Sequence, residues 1–189
     1  HDVSRFITVA HGDNLESCPD GSPVVPWDCP PPQPEAAEPY ARLLHAFTFL
    51  AAYTAVPLIY YGDEVGLAGA SDPDNRRLMP WGELTPHQDA LRASVSALFQ
   101  ARLNNVALRR GEFSVLSATD TTLVIERSLG ESRAYAVFNL GTEPLDVTVP
   151  SAGDVSLTSA LDGATLQSEG GVLSWSTPPE AVALWTTAP

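Results

Sequence analysis

After Gly111 the chain breaks into seven short β-type runs, and no other feature restricts its fold as strongly. They cover residues 113–118, 122–128, 134–140, 145–149, 155–158, 172–175 and 181–186. Gly, Asp, Asn, Ser or Pro separates them, as in Leu129-Gly130-Glu131-Ser132 and Asp162-Gly163. Several alternate apolar with polar residues. In Leu145-Asp146-Val147-Thr148-Val149 the apolar side chains fall on one face, the pattern of a strand with one buried and one solvated side. Short strands at this spacing, joined by tight turns, predict an antiparallel β-sandwich.

Before Gly111 the pattern is different. Residues 1–39 read as mostly irregular after a short apolar start, because prolines at 19, 23, 26, 30, 31, 32, 34 and 39 exclude regular helix or central strand from most of the stretch. A helix is predicted from Glu38-Pro39-Tyr40 to about Thr54, with Leu43, Leu44, Phe47, Leu50 and Ala51 recurring every three or four residues. The uncharged run 56–61, which contains Leu58, Ile59, Tyr60 and Tyr61 and stops at Gly62, predicts a strand buried on both faces. A polar loop with Asp63, Glu64, Asp72, Asp74, Asn75 and Arg76 follows it. Thr85-Pro86 then opens a second helix, with Thr85 as N-cap. Its apolar stripe of Leu91, Val95, Leu98, Phe99, Leu103 and Val106 runs unbroken to Arg109-Arg110-Gly111. Strand, long polar loop and helix make one βα unit, whose loop is where such folds place binding groups. The change in character puts a domain boundary at 110/111.

Charge narrows the partners. With 23 acidic and 10 basic residues the formal net charge is −13, a surface that repels phosphate backbones, and no basic run offsets it. Nucleic acid is therefore not expected as a partner. No apolar run reaches membrane-spanning length. The chain opens on His1-Asp2 with no initiator Met and no leader-like segment, as expected of a fragment or processed product. Of its two cysteines, Cys18 and Cys29, a local disulfide is the preferred reading and two unpaired loop thiols the alternative. Zinc is not expected, because neither cysteine has a CxxC partner and the histidines fall at no ligand spacing. Asp13, Asn14, Glu16 and Asp20 form an oxygen-rich cluster suited to calcium. Their spacing is not that of an EF-hand loop, and a solvated loop is the preferred reading.

Three segments together carry a family resemblance. His1-Asp2-Val3-Ser4-Arg5-Phe6 is similar to the end of the seventh barrel strand of α-amylase-family glycoside hydrolases, whose core is Asn-His-Asp. The run from Pro57 to Glu64, Pro-Leu-Ile-Tyr-Tyr-Gly-Asp-Glu, resembles their eighth strand. Asp72-Pro73-Asp74-Asn75-Arg76, with Met79-Pro80-Trp81 after it, resembles the substrate-contacting loop beyond that strand. The chain departs from the pattern in lacking the Asn before His1 and in having Ala55 where a glycine is usual. The resemblance implies an α/β plus all-β chain: residues 1–110 as the remnant of a (β/α)₈ barrel (the last strand and flanking helices), and 111–189 as a C-terminal β-sandwich.

The same resemblance implies chemistry. Retaining glycosidases place a nucleophile and an acid/base carboxyl across the scissile bond. In this family those groups come from strands outside this sequence, so no Asp or Glu here takes either role and the fragment alone is expected to be inactive. Asp2 maps onto the family's third carboxylate, a transition-state stabiliser that hydrogen-bonds sugar hydroxyls. His1, Asp72 and Arg76 map onto substrate-binding positions. A carboxylate and a guanidinium four residues apart can accept from and donate to one sugar, although taken alone the pair also reads as a surface ion pair. Asp63 and Glu64 are read as loop-fixing groups, Tyr60 and Tyr61 as packed, and Trp27 and Trp81 as stacking candidates or buried anchors.

The expected partners are an α-glucan or maltooligosaccharide substrate and a cover for the barrel remnant, either the rest of the barrel or another copy of the chain. No metal ligand is assigned, and the resemblance leaves room for calcium in the full-length enzyme. Transglycosylation, or a non-catalytic carbohydrate-binding or interaction module, is the alternative function. Secretion or a periplasmic location is expected.

Overall fold

A computed structural model describes residues 2–12, 29–151 and 153–188. The chain forms two compact units, His1–Leu44 with Leu58–Ala93 and His45–Pro57 with Ser94–Pro189. Among the described residues four α-helices occur: α1 (Phe6–His11), α2 (Glu38–Ala52), α3 (Pro86–Asn104) and α4 (Val106–Arg110). Eight strands follow among the described residues: β1 (Glu112–Ala118), β2 (Thr122–Leu129), β3 (Ser132–Asn139), β4 (Leu145–Pro150), β5 (Ser156–Ser159), β6 (Thr165–Gln167), β7 (Val172–Thr177) and β8 (Ala181–Thr187).

In the second unit all seven predicted runs are strands, and β6 is an addition. A six-stranded antiparallel sheet in the order β1-β2-β3-β8-β5-β6 faces a two-stranded sheet of β4 and β7. Alternation explains the layers. Val147 and Val149 of β4, and Leu173 and Trp175 of β7, point into a core shared with Val124, Tyr135, Val137 and Leu157. Ladder neighbours on the other face of the large sheet, Ile125, Arg127, Ala136 and Leu184, are also buried. Helical residues pack on this unit's sheet as well, with the Phe49 and Phe138 rings 6.2 Å apart.

Two arginines tie this helical side together, both bonded to backbone carbonyls. Arg102 donates to the oxygens of Ala51 (2.7 Å), Tyr53 (2.9 Å), Ala55 (2.8 Å) and Leu108 (2.8 Å). Arg127, 1% exposed, donates to Ala52 (2.6 Å), Leu108 (3.0 Å), Gly111 (2.8 Å) and Glu112 (3.1 Å). Carbonyls at a helix C-terminus lack intrahelical donors and carry the negative end of the dipole, so a guanidinium satisfies them on both counts. Burial lowers the pKa of each arginine, and for Arg127 the nearby Arg102 charge adds to the effect.

Two sequence expectations are corrected. The helix opened by Thr85 is not continuous to Arg110. It ends at Asn104, and Asn105, with φ −104° and ψ 118°, caps α4 by accepting from the Leu108 amide at 3.1 Å. The Asn105 amide also donates to Arg133 O at 3.1 Å and lies 3.4 Å from Thr187 O, so tertiary partners override the apolar stripe. The 56–61 run is not a ladder strand. Val56 and Leu58 are 91% and 88% exposed, and an extended segment without a neighbour to exchange backbone hydrogen bonds is not a sheet member. The short apolar start of the chain, to which the sequence assigned no element, forms α1, which buries Ile7, Thr8 and Ala10 and closes on Gly12 in the left-handed region at φ 86°.

The expected start of α3 is present, and more complete than foreseen. Thr85 Oγ1 accepts from the Gln88 amide at 3.3 Å while Gln88 Oε1 accepts from the Thr85 amide at 3.0 Å, a reciprocal capping box. Among the described residues no helix is long and apolar enough to cross a membrane.

Candidate functional site

The site is built in the first unit, where the chain start meets the loop after Gly62. Gly62 turns at φ 88°, and a Cβ there would lie 2.8 Å from Leu67 Cδ2, so both conformation and space call for glycine. Two one-turn 3₁₀ segments follow, Asp63–Val65 and Asp74–Arg76.

Buried polar contacts hold the second of these. The Asp74 carboxylate, 1% exposed, accepts from the Ala70 amide at 2.7 Å and from Arg77 Nε and Nη2 at 2.8 and 2.7 Å. Burial alone would raise its pKa, but the Arg77 and Ala70 hydrogen bonds outweigh this and hold it below the ordinary carboxylate value. Arg77 also donates to Pro31 O at 2.9 Å. Asn75, equally buried, donates from its side-chain amide to Val3 O at 2.8 Å. It is therefore a clasp between chain start and loop.

Arg5 completes the clasp. Its amide donates to Gly69 O at 3.0 Å, its Nε to Asn75 O at 2.8 Å, and its Nη1 to Tyr61 O at 2.7 Å and Asp63 Oδ1 at 3.0 Å. The guanidinium carbon lies 4.2 Å from the Tyr60 ring centroid and 4.9 Å from that of Tyr61, so both rings pack on a cation. Asp63 is the carboxylate that faces it. Burial raises the Asp63 pKa, with Arg5 opposing and Glu64 adding to the rise.

On this frame three of the predicted site residues meet. Arg76 Nε is 2.8 Å from Asp72 Oδ1 and its Nη2 is 3.4 Å from Asp2 Oδ1. The side chains are 46%, 51% and 69% exposed for Arg76, Asp72 and Asp2. Exposed pairs of this kind contribute about 0–1 kcal/mol, so stability does not account for a guanidinium gathering two carboxylates here. What the cluster can do is accept and donate hydrogen bonds to a polyhydroxylated ligand at one surface. Trp81, a stacking candidate, is 87% exposed.

The remaining assignments do not reach the described residues. His1 lies outside them, as do Trp27 and the proposed calcium cluster of Asp13, Asn14, Glu16 and Asp20. Cys29 is disulfide-bonded, and Cys18, the sequence's other cysteine, lies outside them too. No group of three or more His, Cys, Asp or Glu among the described residues could hold a metal ion. Sequence reasoning did not single out Arg5, Asp74 or Arg77. Arg5 stood inside the quoted opening motif, but its partners are 56 to 70 residues away and left no local signal.

Known proteins resemble this chain in sequence and fold. No family model matches the chain. A cyclomaltodextrinase of Geobacillus thermopakistaniensis (strain MAS1) is 32% identical over 188 residues, which is 98% of this chain and 27% of that protein. Neopullulanase 2 of Thermoactinomyces vulgaris is 31% identical over 150 residues, 77% of this chain and 26% of its own length. The chain thus spans about a quarter of these relatives. Among solved structures, an Anoxybacillus α-amylase superposes with a TM-score of 0.68 at 28% identity, over 80% of this chain and 33% of its own. The Geobacillus thermoleovorans α-amylase complexed with acarbose superposes with a TM-score of 0.72 over all of this chain and 37% of its own; at 21% identity it speaks for the fold alone. The chain belongs to the α-amylase family of glycoside hydrolases, as a C-terminal region that joins a barrel remnant to a β-sandwich.

Proposed function

We propose that this chain is the C-terminal part of a retaining α-glucan hydrolase that acts on starch, maltooligosaccharides or their cyclic forms. The observation that carries the reading is the meeting of Asp2, Asp72 and Arg76, within 2.8 and 3.4 Å, on an exposed surface held by buried contacts. Asp2 acts as the transition-state stabiliser. As the sugar flattens toward an oxocarbenium ion, its carboxylate accepts hydrogen bonds from ring hydroxyls, the 2-OH above all, and these strengthen at the transition state. Asp72 and Arg76 accept from and donate to hydroxyls of a neighbouring glucose, and His1 donates to the sugar beside Asp2. The nucleophile and the acid/base belong to polypeptide outside residues 1–189, and the fragment alone is inactive. The names of the relatives, cyclomaltodextrinase and neopullulanase, favour the α-glucan class. The disulfide at Cys29 supports an oxidising, secreted or periplasmic setting.

The test is reducing-sugar release from soluble starch and cyclomaltodextrin by the full-length polypeptide, with and without Asp2→Asn. Loss of a hydrogen bond worth several kcal/mol at the transition state lowers the rate about a hundredfold or more. An unchanged rate for Asp2→Asn would remove Asp2 from the mechanism. Transfer products in place of free reducing ends would make the protein a transglycosylase.

A further inference from the structure

We propose that Arg5 is the positioning residue of this site, holding the segment that carries Asp2 and the loop that carries Asp72 and Arg76 in one register. The inference rests on the α-glucan reading above and assigns Arg5 a part in it.

The geometry runs from one buried guanidinium. Arg5 is 3% exposed, and the four hydrogen bonds that it donates all go to the stretch between Tyr61 and Asn75. Asn75 answers in the opposite direction by donating to Val3 O at 2.8 Å. Arg5 is three residues from Asp2, and Asn75 is next to Arg76. Apart from the exposed Arg76–Asp2 contact itself, the ties nearest to both groups are those of Arg5 and its partner Asn75, with the Gly69 amide bonded to Thr8 Oγ1 at 2.9 Å farther along. A shift of Arg5 therefore moves the two ligand-facing groups relative to each other, and a displacement of about 1 Å in a substrate-holding group can cost about a hundredfold in rate.

Local stability is only part of the reason for the choice of residue. Arg5 Nη2 is buried with no hydrogen-bond acceptor among the described residues. A buried donor left unsatisfied is costly, and an apolar side chain of similar length beside the Tyr60 and Tyr61 rings would avoid that cost while leaving Tyr61 O, Asn75 O and Asp63 Oδ1 without their donor. Such a side chain would not fix the register, because packing is non-directional whereas the guanidinium makes planar hydrogen bonds at fixed angles. A lysine would keep the charge but could not reach Asn75 O, Tyr61 O and Asp63 Oδ1 together from its single nitrogen.

The experiment is a double-mutant cycle in the full-length polypeptide, with Arg5→Lys, Asp2→Asn and the pair, read as kcat and KM on a maltooligosaccharide. Thermal unfolding is recorded for each variant. The expected result is a fall of about 10- to 100-fold in kcat/KM for Arg5→Lys at a temperature where the variant is folded. In the Asp2→Asn background that loss should shrink to a few fold, because Arg5 acts through the group already removed. Asp63→Asn, which keeps an acceptor oxygen for Nη1 and removes only the charge, should fall between wild type and Arg5→Lys. Full additivity of Arg5→Lys with Asp2→Asn, or wild-type kinetics for Arg5→Lys in a protein that Asp2→Asn disables, would overturn the proposal. Loss of the cooperative unfolding transition in both Arg5→Lys and Asp63→Asn would also overturn it, by making Arg5 a stability group. If Asp2→Asn itself has no effect, it is the underlying functional reading that fails.

Discussion

Replacing Arg127 by methionine should remove about a third of the stability of the sandwich-bearing unit. The side chain is 1% exposed and serves four carbonyls, at Ala52, Leu108, Gly111 and Glu112. Methionine fills the same channel but donates nothing. Leu108 O keeps Arg102 Nη1 at 2.8 Å, and Glu112 O lies on a paired strand, so the acceptors clearly orphaned are Ala52 O and Gly111 O. A buried polar group stripped of its partner costs about 1–3 kcal/mol, giving about 2–6 kcal/mol for the two. Removing a buried cation returns part of its desolvation cost, which brings the expected net to about 3 kcal/mol. Domains of this size are stable by about 5–15 kcal/mol. Urea denaturation followed by tryptophan fluorescence reads it, because Trp175, 8% exposed, sits in the sandwich core and changes environment when the sheets part. With a slope of about 2 kcal/mol per molar, the midpoint should fall by about 1.5 M. A fall of less than about 0.5 M with an unchanged slope would mean that the carbonyls find other donors and that the guanidinium does not hold α2 and α4 to the sheet.

Further outcomes are expected elsewhere in the chain. Asp74 has a depressed folded pKa, so its stabilising contribution is complete above the ordinary value near 3.8 and is lost as pH falls through the lower folded value. Stability against urea should therefore drop more steeply below pH 4 in wild type than in Asp74→Asn, and parallel curves would refute this. Thr85→Ala breaks the capping box at α3 and should cost about 1 kcal/mol, read as a shift in the urea midpoint. Gly111→Ala should destabilise by about 1–3 kcal/mol in the same assay, since its Cβ would lie 2.6 Å from Ala107 O and 2.7 Å from Ser128 O, both backbone atoms. Arg76→Ala in the full-length polypeptide should raise KM for maltooligosaccharides about tenfold or more without altering the unfolding temperature, because its ion pairs are half exposed.

What could be read from the sequence depended on how far apart the interacting residues lie. The sandwich was legible because alternation is local: Val147 and Val149, or Leu173 and Trp175, declare their face within five residues. Strand β6, at Thr165–Gln167, is too short to show a period. The break at Asn105 was hidden because the groups that favour it, at Arg133 and Thr187, are 28 and 82 positions away. The run at 56–61 carried the composition of a buried strand, but composition does not supply a neighbouring strand. In the site, the spacing of Asp72 and Arg76, four positions apart, allowed an ion pair, but their substrate-binding assignment came through the resemblance. Asp2 came through resemblance alone, and Arg5 was passed over because a buried arginine in a sequence looks the same as a solvated one.

The two carbonyl-bound arginines have a consequence for recombination. Residues His45–Pro57 and Ser94–Pro189 form one unit, and Arg127 from the second piece takes its shortest hydrogen bond at Ala52 in the first. A crossover at 110/111, where the composition changes, would give a hybrid whose incoming sheet carries a cation matched to carbonyls of a different parent. Gene shuffling within this family should therefore recover folded hybrids when segments 45–57 and 94–189 are inherited together. The lineage of the sandwich is expected to run with the end of α2, although thirty-six residues of unrelated duty lie between them on the gene.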